Sequence, residues 1–102
     1  MPQKLELNDI LQELPNWRKY EGKETDAIVR DFIFPDFQEA FAFMTSVAFR
    51  AEMMNHHPEW YNCYNLVTIC LNTHDVGGLS ELDLEMANYL DALYKEKMGP
   101  MM

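Results

Sequence analysis

The chain has 102 residues, of which 48% are hydrophobic, and it carries a formal net charge of -9. This length predicts one domain, residues 1–102, with a single core, and a monomer of that size leaves much of its surface exposed. The acidic charge disfavours electrostatic binding to nucleic acid or to an anionic membrane, so a small neutral ligand or another protein is the expected partner.

The N-terminal stretch, residues 1–9, interrupts its apolar residues with charges and lacks the apolar centre of a secretory signal. No apolar run approaches the roughly 20 residues that span a bilayer. Cys63 and Cys70 are too few for a disulfide framework and lie in an apolar, strand-like stretch, which predicts reduced thiols in the core. Together these features predict a soluble, cytoplasmic protein.

The first part of the chain predicts one helix and two strands. Apolar residues at helical spacing up to Leu14 indicate a helix that Asn8 caps and Pro15 ends. Two strands follow at residues 17–20 and 27–34, joined by a polar connection. The second strand carries apolar side chains on both parities, so the pattern leaves open which of its faces meets the core.

A long helix comes next, and Asp36 and Glu39 have capping-box spacing at its start. Its apolar stripe comprises Phe37, Phe41, Met44, Ala48, Ala51 and Met54. Because further apolar residues widen this stripe, the helix is expected to be covered by the sheet and by a second surface, such as a subunit interface. Pro58 disfavours the α conformation of the preceding residue, so the helix should end near Asn55 or His56.

The remaining pattern predicts two strands and a last helix. Residues 60–64 and 66–71 indicate a strand pair about a tight turn, and the second strand suits the centre of a sheet because nearly all of it is apolar. After a glycine-bearing loop at residues 73–80, Ser80 and Asp83 again have capping-box spacing. Strand pairs separated by helices favour an α+β fold in the order α-β-β-α-β-β-α, with an antiparallel sheet and helices against one face.

All three histidines lie at element ends: His56 and His57 close the long helix, and His74 follows the last strand. Imidazole, with an unperturbed pKa of ~6.5, can both donate and accept protons near neutrality, so several histidines can run acid-base chemistry without a cofactor. Each histidine also has a structural interpretation, as a charge favoured at a helix C-terminus, a solvated turn residue or a loop cap. Zinc binding by all three histidines is a further alternative. It is disfavoured because the side chains of adjacent residues point in different directions.

Other side chains near the histidines are candidates for the same site. Glu52 lies four residues before His56, where a continuing helix would place the carboxylate beside that imidazole; the alternative is a surface pair of small energy. Asp83 is expected either to cap the last helix or to hold His74 or another site group. Trp60 is the aromatic residue expected nearest a ligand, although such residues more often pack within a sheet.

Four pieces of sequence carry a motif: Glu52; His56-His57-Pro58-Glu59-Trp60; residues 73–80, THDVGGLS; and Asp83. In these positions the chain closely resembles the pterin-4a-carbinolamine dehydratase family. The likeness runs from Phe37 through Asp83 without a departure at the motif positions, and it is loose before Phe32.

The resemblance implies an activity, the dehydration of 4a-hydroxytetrahydrobiopterin to quinonoid dihydrobiopterin, which recycles the pterin after aromatic amino-acid hydroxylation. It implies that His56 and His74 are general acids for the 4a-hydroxyl of the two stereoisomers. It also implies that His57 mainly binds the pterin, with some base character, and that no metal or other cofactor is needed. The residues expected to bind substrate or support the site are Glu52, Pro58, Trp60 and Asp83.

The same resemblance implies four antiparallel strands with three helices on one side, and assembly into homodimers or homotetramers. Some members of the family also stabilise the dimer of a homeodomain transcription factor. A protein-interaction module of that kind is therefore the alternative function, and it would add a nuclear location to the cytoplasmic one.

Overall fold

The computed structural model of the chain describes residues 2–99. The elements in chain order are β1 (Lys4–Leu5), α1 (Leu7–Glu13), β2 (Arg18–Lys19), β3 (Ile28–Ile33), α2 (Phe37–Met54), β4 (Glu59–Cys63), β5 (Leu66–Leu71), a short 3-10 helix (His74–Val76), β6 (Leu79–Ser80) and α3 (Glu81–Met98). The fold is α+β, with three helices and a four-stranded antiparallel sheet, as the sequence predicts. Across the described residues, no helix combines the length and apolarity that crossing a membrane requires.

The four-stranded sheet has the order β2-β3-β5-β4, and every neighbouring pair is antiparallel. Phe32 of β3 packs against Phe43 of α2 and edge-on against Tyr94 of α3, with ring centroids 5.0 Å apart in both pairs. Val29, of the opposite parity, instead joins a small separate cluster with Cys70. The parity that the sequence left open is thereby assigned: the face that carries Phe32 meets the helices.

The buried side of α2 differs from the predicted stripe. Its buried residues are Ala40, Phe43, Val47 and Ala51. Of the predicted stripe only Ala51 is buried, while Met44 and Met54 are partly buried and Phe37, Phe41 and Ala48 are exposed. The exposed apolar residues Phe37, Phe41, Phe49 and Met53 form a second row along the helix, called the outer stripe below.

Of the predicted caps at the starts of the first two helices, one was wrong and one is confirmed. Helix α1 begins at Leu7 behind Glu6, so Asn8 lies inside the first turn and is not the cap. The chain turns earlier because Lys4–Leu5 pair with Leu79–Ser80 in a two-stranded sheet that the sequence did not predict. At α2, the Asp36 carboxylate accepts a hydrogen bond from the Glu39 amide at 2.9 Å, as the capping pattern predicts.

The two cysteines occupy different environments. Cys70 is buried, but Cys63 is exposed, which corrects the prediction that both are core thiols. The reason is that Cys63 ends the edge strand β4. Cys70 lies beneath a depression of about 400 Å³ on the sheet face opposite the helices. Burial first, and then the nearby Glu59 carboxylate, disfavours the thiolate and raises the pKa of Cys70 to about 11.

This difference predicts selective thiol chemistry. At about pH 8 an excess of an alkylating reagent should modify Cys63 quickly and leave Cys70 unmodified, because the thiolate is the reactive form. After denaturation both cysteines should react. Intact-mass spectrometry before and after denaturation counts the modified thiols, and equal labelling rates in the native protein would contradict the assignment.

Candidate active site

The end of α2 determines where the adjacent histidines point. Asn55 adopts the left-handed conformation, with φ 50° and ψ 44°, which asparagine tolerates better than most residues. The amide of His56 then donates back to the carbonyl of Ala51 at 3.0 Å, which closes the helix. The chain therefore leaves the helical path before the histidine pair, and the two imidazoles have different surroundings.

His56 is buried and bonded to a buried acid. Its Nε2 lies 2.7 Å from Oδ1 of Asp83, whose side chain is fully inaccessible to solvent. Asp83 Oδ2 accepts from the Thr73 hydroxyl at 2.7 Å and from the Ser80 amide at 2.9 Å. Asp83 thus fulfils two of the expected roles at once, because it caps α3 and holds a site histidine, and that histidine is His56.

His57 pairs with the other predicted carboxylate. Its Nε2 lies 2.6 Å from Oε2 of Glu52, and both side chains are more than half exposed. The expectation that Glu52 would lie beside His56 was wrong. It assumed a helix that continues through residue 56, and the left-handed turn at Asn55 places the next imidazole, not the first, beside the carboxylate.

The three histidines border one cavity. A cleft of about 290 Å³ is lined by His56, His57 and His74, and Thr73 and Pro2 are among its other lining residues. His74 opens the short 3-10 helix and is exposed. Over residues 2–99, no three His, Cys, Asp or Glu side chains are grouped so as to hold a metal ion.

A second cavity adjoins the first at His57. It measures about 280 Å³, and Glu52, His57, Pro58 and Trp60 are among its lining residues. The predicted supporting residues therefore line this second cavity, with the exception of Asp83, which lies beneath His56. Two neighbouring pockets of this size that share His57, with an aromatic wall and three imidazoles, suit a flat ligand that carries several polar edges.

The similarity of the chain to known proteins indicates the family to which this cleft belongs. The sequence profile of the family described as Pterin 4 alpha carbinolamine dehydratase matches residues 2–93. The chain belongs to the pterin-4a-carbinolamine dehydratase family. The matched region begins well before Phe32, so the similarity to the family extends further toward the N-terminus than the motif alone indicates.

Individual members of the pterin-4a-carbinolamine dehydratase family are closely similar to the chain. A Drosophila melanogaster protein named pterin-4-alpha-carbinolamine dehydratase is 56% identical over 75 residues, which are 74% of this chain and 38% of that protein. A Burkholderia multivorans protein whose name carries the same activity is 53% identical over 83 residues, which are 81% of this chain and 79% of that protein.

Two solved structures share the fold. The crystal structure of a transcriptional coactivator/pterin dehydratase from Brucella melitensis has a TM-score of 0.82 and 43% sequence identity, and it covers 90% of this chain and 99% of that one. A pterin dehydratase-like protein described as a RuBisCO assembly factor of the alpha-carboxysome has a TM-score of 0.65 and 24% identity, over 78% of this chain and 89% of that one. The second likeness concerns the fold alone.

Several residues that build this dehydratase-family cleft were not among the predicted site residues, although Thr73 and Ser80 belong to the motif. Thr73 and Asn55 border it, and Ser80 contacts Thr73 through its hydroxyl at 2.6 Å. Pro2 borders it because β1 pairs with β6 beside the start of α3. The capping-box spacing at Ser80 was the signal that could have indicated that residue. It shows that the loop carrying His74 ends at Ser80, where α3 begins.

Proposed function

We propose that this protein dehydrates 4a-hydroxytetrahydrobiopterin to quinonoid dihydrobiopterin by histidine acid-base catalysis. The observation that carries the proposal is the convergence of His56, His57 and His74 on one cleft in a member of the dehydratase family. Imidazole groups supply both an acid and a base at neutral pH, and this reaction needs one of each.

The chemistry assigns a role to each imidazole. Hydroxide is a poor leaving group, so an imidazolium at His56 or His74 donates its proton to the 4a-hydroxyl as the bond between that oxygen and C4a breaks. The lone pair of the adjacent ring nitrogen forms a double bond to C4a, and the proton on that nitrogen leaves to a base. One proton is given and one is removed, so the enzyme ends the cycle unchanged. Positioned acid-base catalysis of this kind typically contributes ~100-fold to 10,000-fold.

The use of two acids follows from stereochemistry. His56 and His74 border the same cleft from different elements, the end of α2 and the loop after β5. A hydroxyl on either face of the flat ring would then meet one of the two imidazoles. We assign one acid to each stereoisomer.

His57 is assigned mainly to pterin binding, with some base character. It borders both cavities, and its ring is held at Nε2 by Glu52. Trp60 and Pro58 provide a flat apolar wall in the second cavity. A pterin ring that spans the two cavities would contact His57 at their junction.

Replacing His57 with alanine should raise KM for the 4a-hydroxypterin about tenfold and also lower kcat, because one hydrogen bond to the ligand is lost. Stopped-flow absorbance on chemically generated 4a-hydroxytetrahydrobiopterin measures both constants. Tyr64→Ala removes an exposed aromatic side chain at the turn between β4 and β5 and should leave them unchanged. Wild-type kinetics in His57→Ala would exclude the binding role, and an inactive wild-type protein would exclude the proposed reaction.

A recycling role and a cytoplasmic location complete the proposal. The reaction regenerates a pterin that a hydroxylase has oxidised, so it belongs where aromatic amino-acid hydroxylation takes place. Both Cys63 and Cys70 are free thiols, which suits a reducing compartment.

We further propose that the protein forms homodimers or homotetramers. The outer stripe of α2 leaves large apolar side chains in solvent, with Phe41 56% and Phe49 71% exposed. Full burial of one phenylalanine side chain gains about 2 kcal/mol, so a second copy that covers the stripe would be well stabilised.

Analytical ultracentrifugation tests this assembly. The wild-type protein should sediment as a dimer or tetramer, and Phe49→Glu should lower the mass because it places a charge in the interface. Tyr64→Glu introduces the same charge at an exposed aromatic residue outside the stripe and should change nothing. A monomeric wild-type protein would contradict the proposal.

A coactivator role is the second candidate function. It is favoured by the likeness to the Brucella melitensis protein described as a transcriptional coactivator/pterin dehydratase, and by the accessible outer stripe, which could bind an apolar helix of a transcription factor. Such a role would place some of the protein in the nucleus of a eukaryotic cell. Mixing with a candidate dimerisation helix should yield a mixed complex that Phe49→Glu cannot form, and persistence of that complex in the variant would exclude the stripe as the binding surface.

A further inference from the structure

A continuous chain of hydrogen bonds connects the start of α3 to the imidazole of His56. The Asp83 carboxylate is at its centre: Oδ1 lies 2.7 Å from Nε2 of His56, and Oδ2 is 2.7 Å from the Thr73 hydroxyl. Oδ2 also accepts from the Ser80 amide at 2.9 Å. All four residues are buried, so water does not compete for these bonds.

The direction of each bond in this chain can be assigned by counting protons. The Thr73 hydroxyl has one proton, and it is donated to Asp83. In the 2.6 Å contact between the Thr73 and Ser80 hydroxyls, Ser80 must therefore be the donor. The Ser80 oxygen in turn accepts from the Leu82 amide at 3.1 Å, a backbone donor at the start of α3.

These directions leave both Asp83 oxygens as acceptors, so the proton in the contact with His56 lies on Nε2 of the imidazole. Within residues 2–99 no group of the protein bonds to Nδ1 of the same ring, and the residue borders the cleft. Nδ1 is consequently the atom that remains available to a ligand.

We propose that Thr73 and Ser80 are positioning residues: through Asp83 they hold the His56 ring with its hydrogen on Nε2, so that Nδ1 exchanges the proton with the substrate. This inference rests on the dehydratase function proposed above and adds residues to it. Neither hydroxyl needs to touch the pterin.

The proposed step balances with this tautomer. The imidazolium of His56 gives its Nδ1 proton to the departing 4a-hydroxyl, the bond from C4a to oxygen breaks, and water leaves with the bonding electron pair. The ring that remains is neutral with its hydrogen on Nε2, which is the form that the Asp83 carboxylate favours. Without the Thr73 hydroxyl, the carboxylate loses a donor that fixes its rotation, and the imidazole loses a fixed orientation.

Two substitutions of Thr73 distinguish the loss of its hydroxyl from a disturbance of the fold. Thr73→Val keeps the shape and removes the donor, whereas Thr73→Ser keeps the donor. Nitrogen NMR of selectively labelled histidine, recorded without substrate, reports the tautomer of His56, and stopped-flow kinetics report kcat and KM. We expect the hydrogen on Nε2 in the wild-type protein and in Thr73→Ser. In Thr73→Val we expect mixed tautomers and a kcat about tenfold lower, with KM unchanged.

Loss of the Ser80 hydroxyl should have a smaller effect in the same direction, because Thr73 still donates to Asp83. Ser80→Ala also removes a helix cap, and the matched control is Asp36→Ala, which removes the cap of α2 away from the cleft. Asp36→Ala should lower the melting temperature comparably and leave the His56 tautomer unchanged.

A wild-type His56 with its hydrogen on Nδ1 would overturn this assignment, as would a Thr73→Val protein with wild-type tautomer and kcat. The tautomer measurement needs no substrate, so its result does not depend on whether the protein dehydrates the pterin. If the wild-type protein has the Nε2 hydrogen but does not dehydrate the pterin, the proposed function fails and the hydrogen-bond chain remains.

Discussion

Replacing Asp83 with alanine is expected to lower the free energy of unfolding by about 3 to 5 kcal/mol, the usual consequence of removing one partner from a buried pair. The side chain is fully buried and accepts bonds from His56, Thr73 and Ser80, all of which would lose their partner. The same change should lower kcat for the dehydration about 100-fold, because His56 is no longer oriented. Urea denaturation and stopped-flow kinetics measure the two effects.

Asp91 offers a matched control on the same helix. Its carboxylate accepts from the Trp17 indole at 2.9 Å and from Arg30 at 2.6 Å, and it does not border either cavity of the site. Asp91→Ala should cost about 2 kcal/mol of stability through these lost bonds and leave kcat at the wild-type value. A kcat that falls equally in both variants would mean that Asp83 acts only through stability.

Asp83→Asn is the companion variant if the alanine protein does not fold. It keeps the volume of the side chain and one acceptor oxygen, so the loss of stability should be smaller. An amide has only one acceptor oxygen, so it cannot accept hydrogen bonds from both His56 and Thr73. The defined orientation of His56 should therefore still be lost, and kcat should still fall. Full activity in Asp83→Asn would contradict the positioning role of the carboxylate.

His74→Ala should give the second large effect, a fall of about 100-fold in kcat for one 4a-stereoisomer with little change for the other. The side chain is exposed, so the free energy of unfolding should stay within about 0.5 kcal/mol of the wild-type value. His56→Ala should show the opposite stereochemical preference and should also destabilise the fold, because it leaves Asp83 buried without that partner.

Stopped-flow kinetics on the two separated stereoisomers checks this pattern. Equal losses for both isomers in each variant would mean that the two imidazoles act together on every substrate molecule. Unchanged rates in His74→Ala would remove that residue from the mechanism.

The grouping of the three histidines around one cleft could be predicted because they lie at element ends. His56 and His74 follow an amphipathic helix, whose end Pro58 indicates, and an apolar strand. The predicted residues Glu52, Pro58 and Trp60 line the neighbouring cavity, which also includes His57, since one stretch of chain passes along it.

The pairings within the site could not be predicted in the same way. Glu52 bonds to His57 because Asn55 turns left-handed, and that turn shifts the register by one residue. The contact between Thr73 and Asp83 crosses a loop of unpredictable path.

Short and marginal elements account for the remaining differences. β1 and β6 have two residues each, which is too few for any periodicity to be visible. Cys63 was placed in the core because its stretch is apolar, yet β4 is an edge strand. The nearly all-apolar pattern of β5 indicated a central strand, which the strand order confirms, but the pattern of β4 did not indicate an edge strand.

The central claim is that one flat pterin occupies the histidine cleft in reach of all three imidazoles. A crystal structure of the protein with 7,8-dihydrobiopterin tests it most directly. We expect the ring to span the two cavities that meet at His57, with Nδ1 of His56 and the imidazole of His74 turned toward it. A pterin bound instead over Cys70, in the depression on the opposite face of the sheet, would contradict the account.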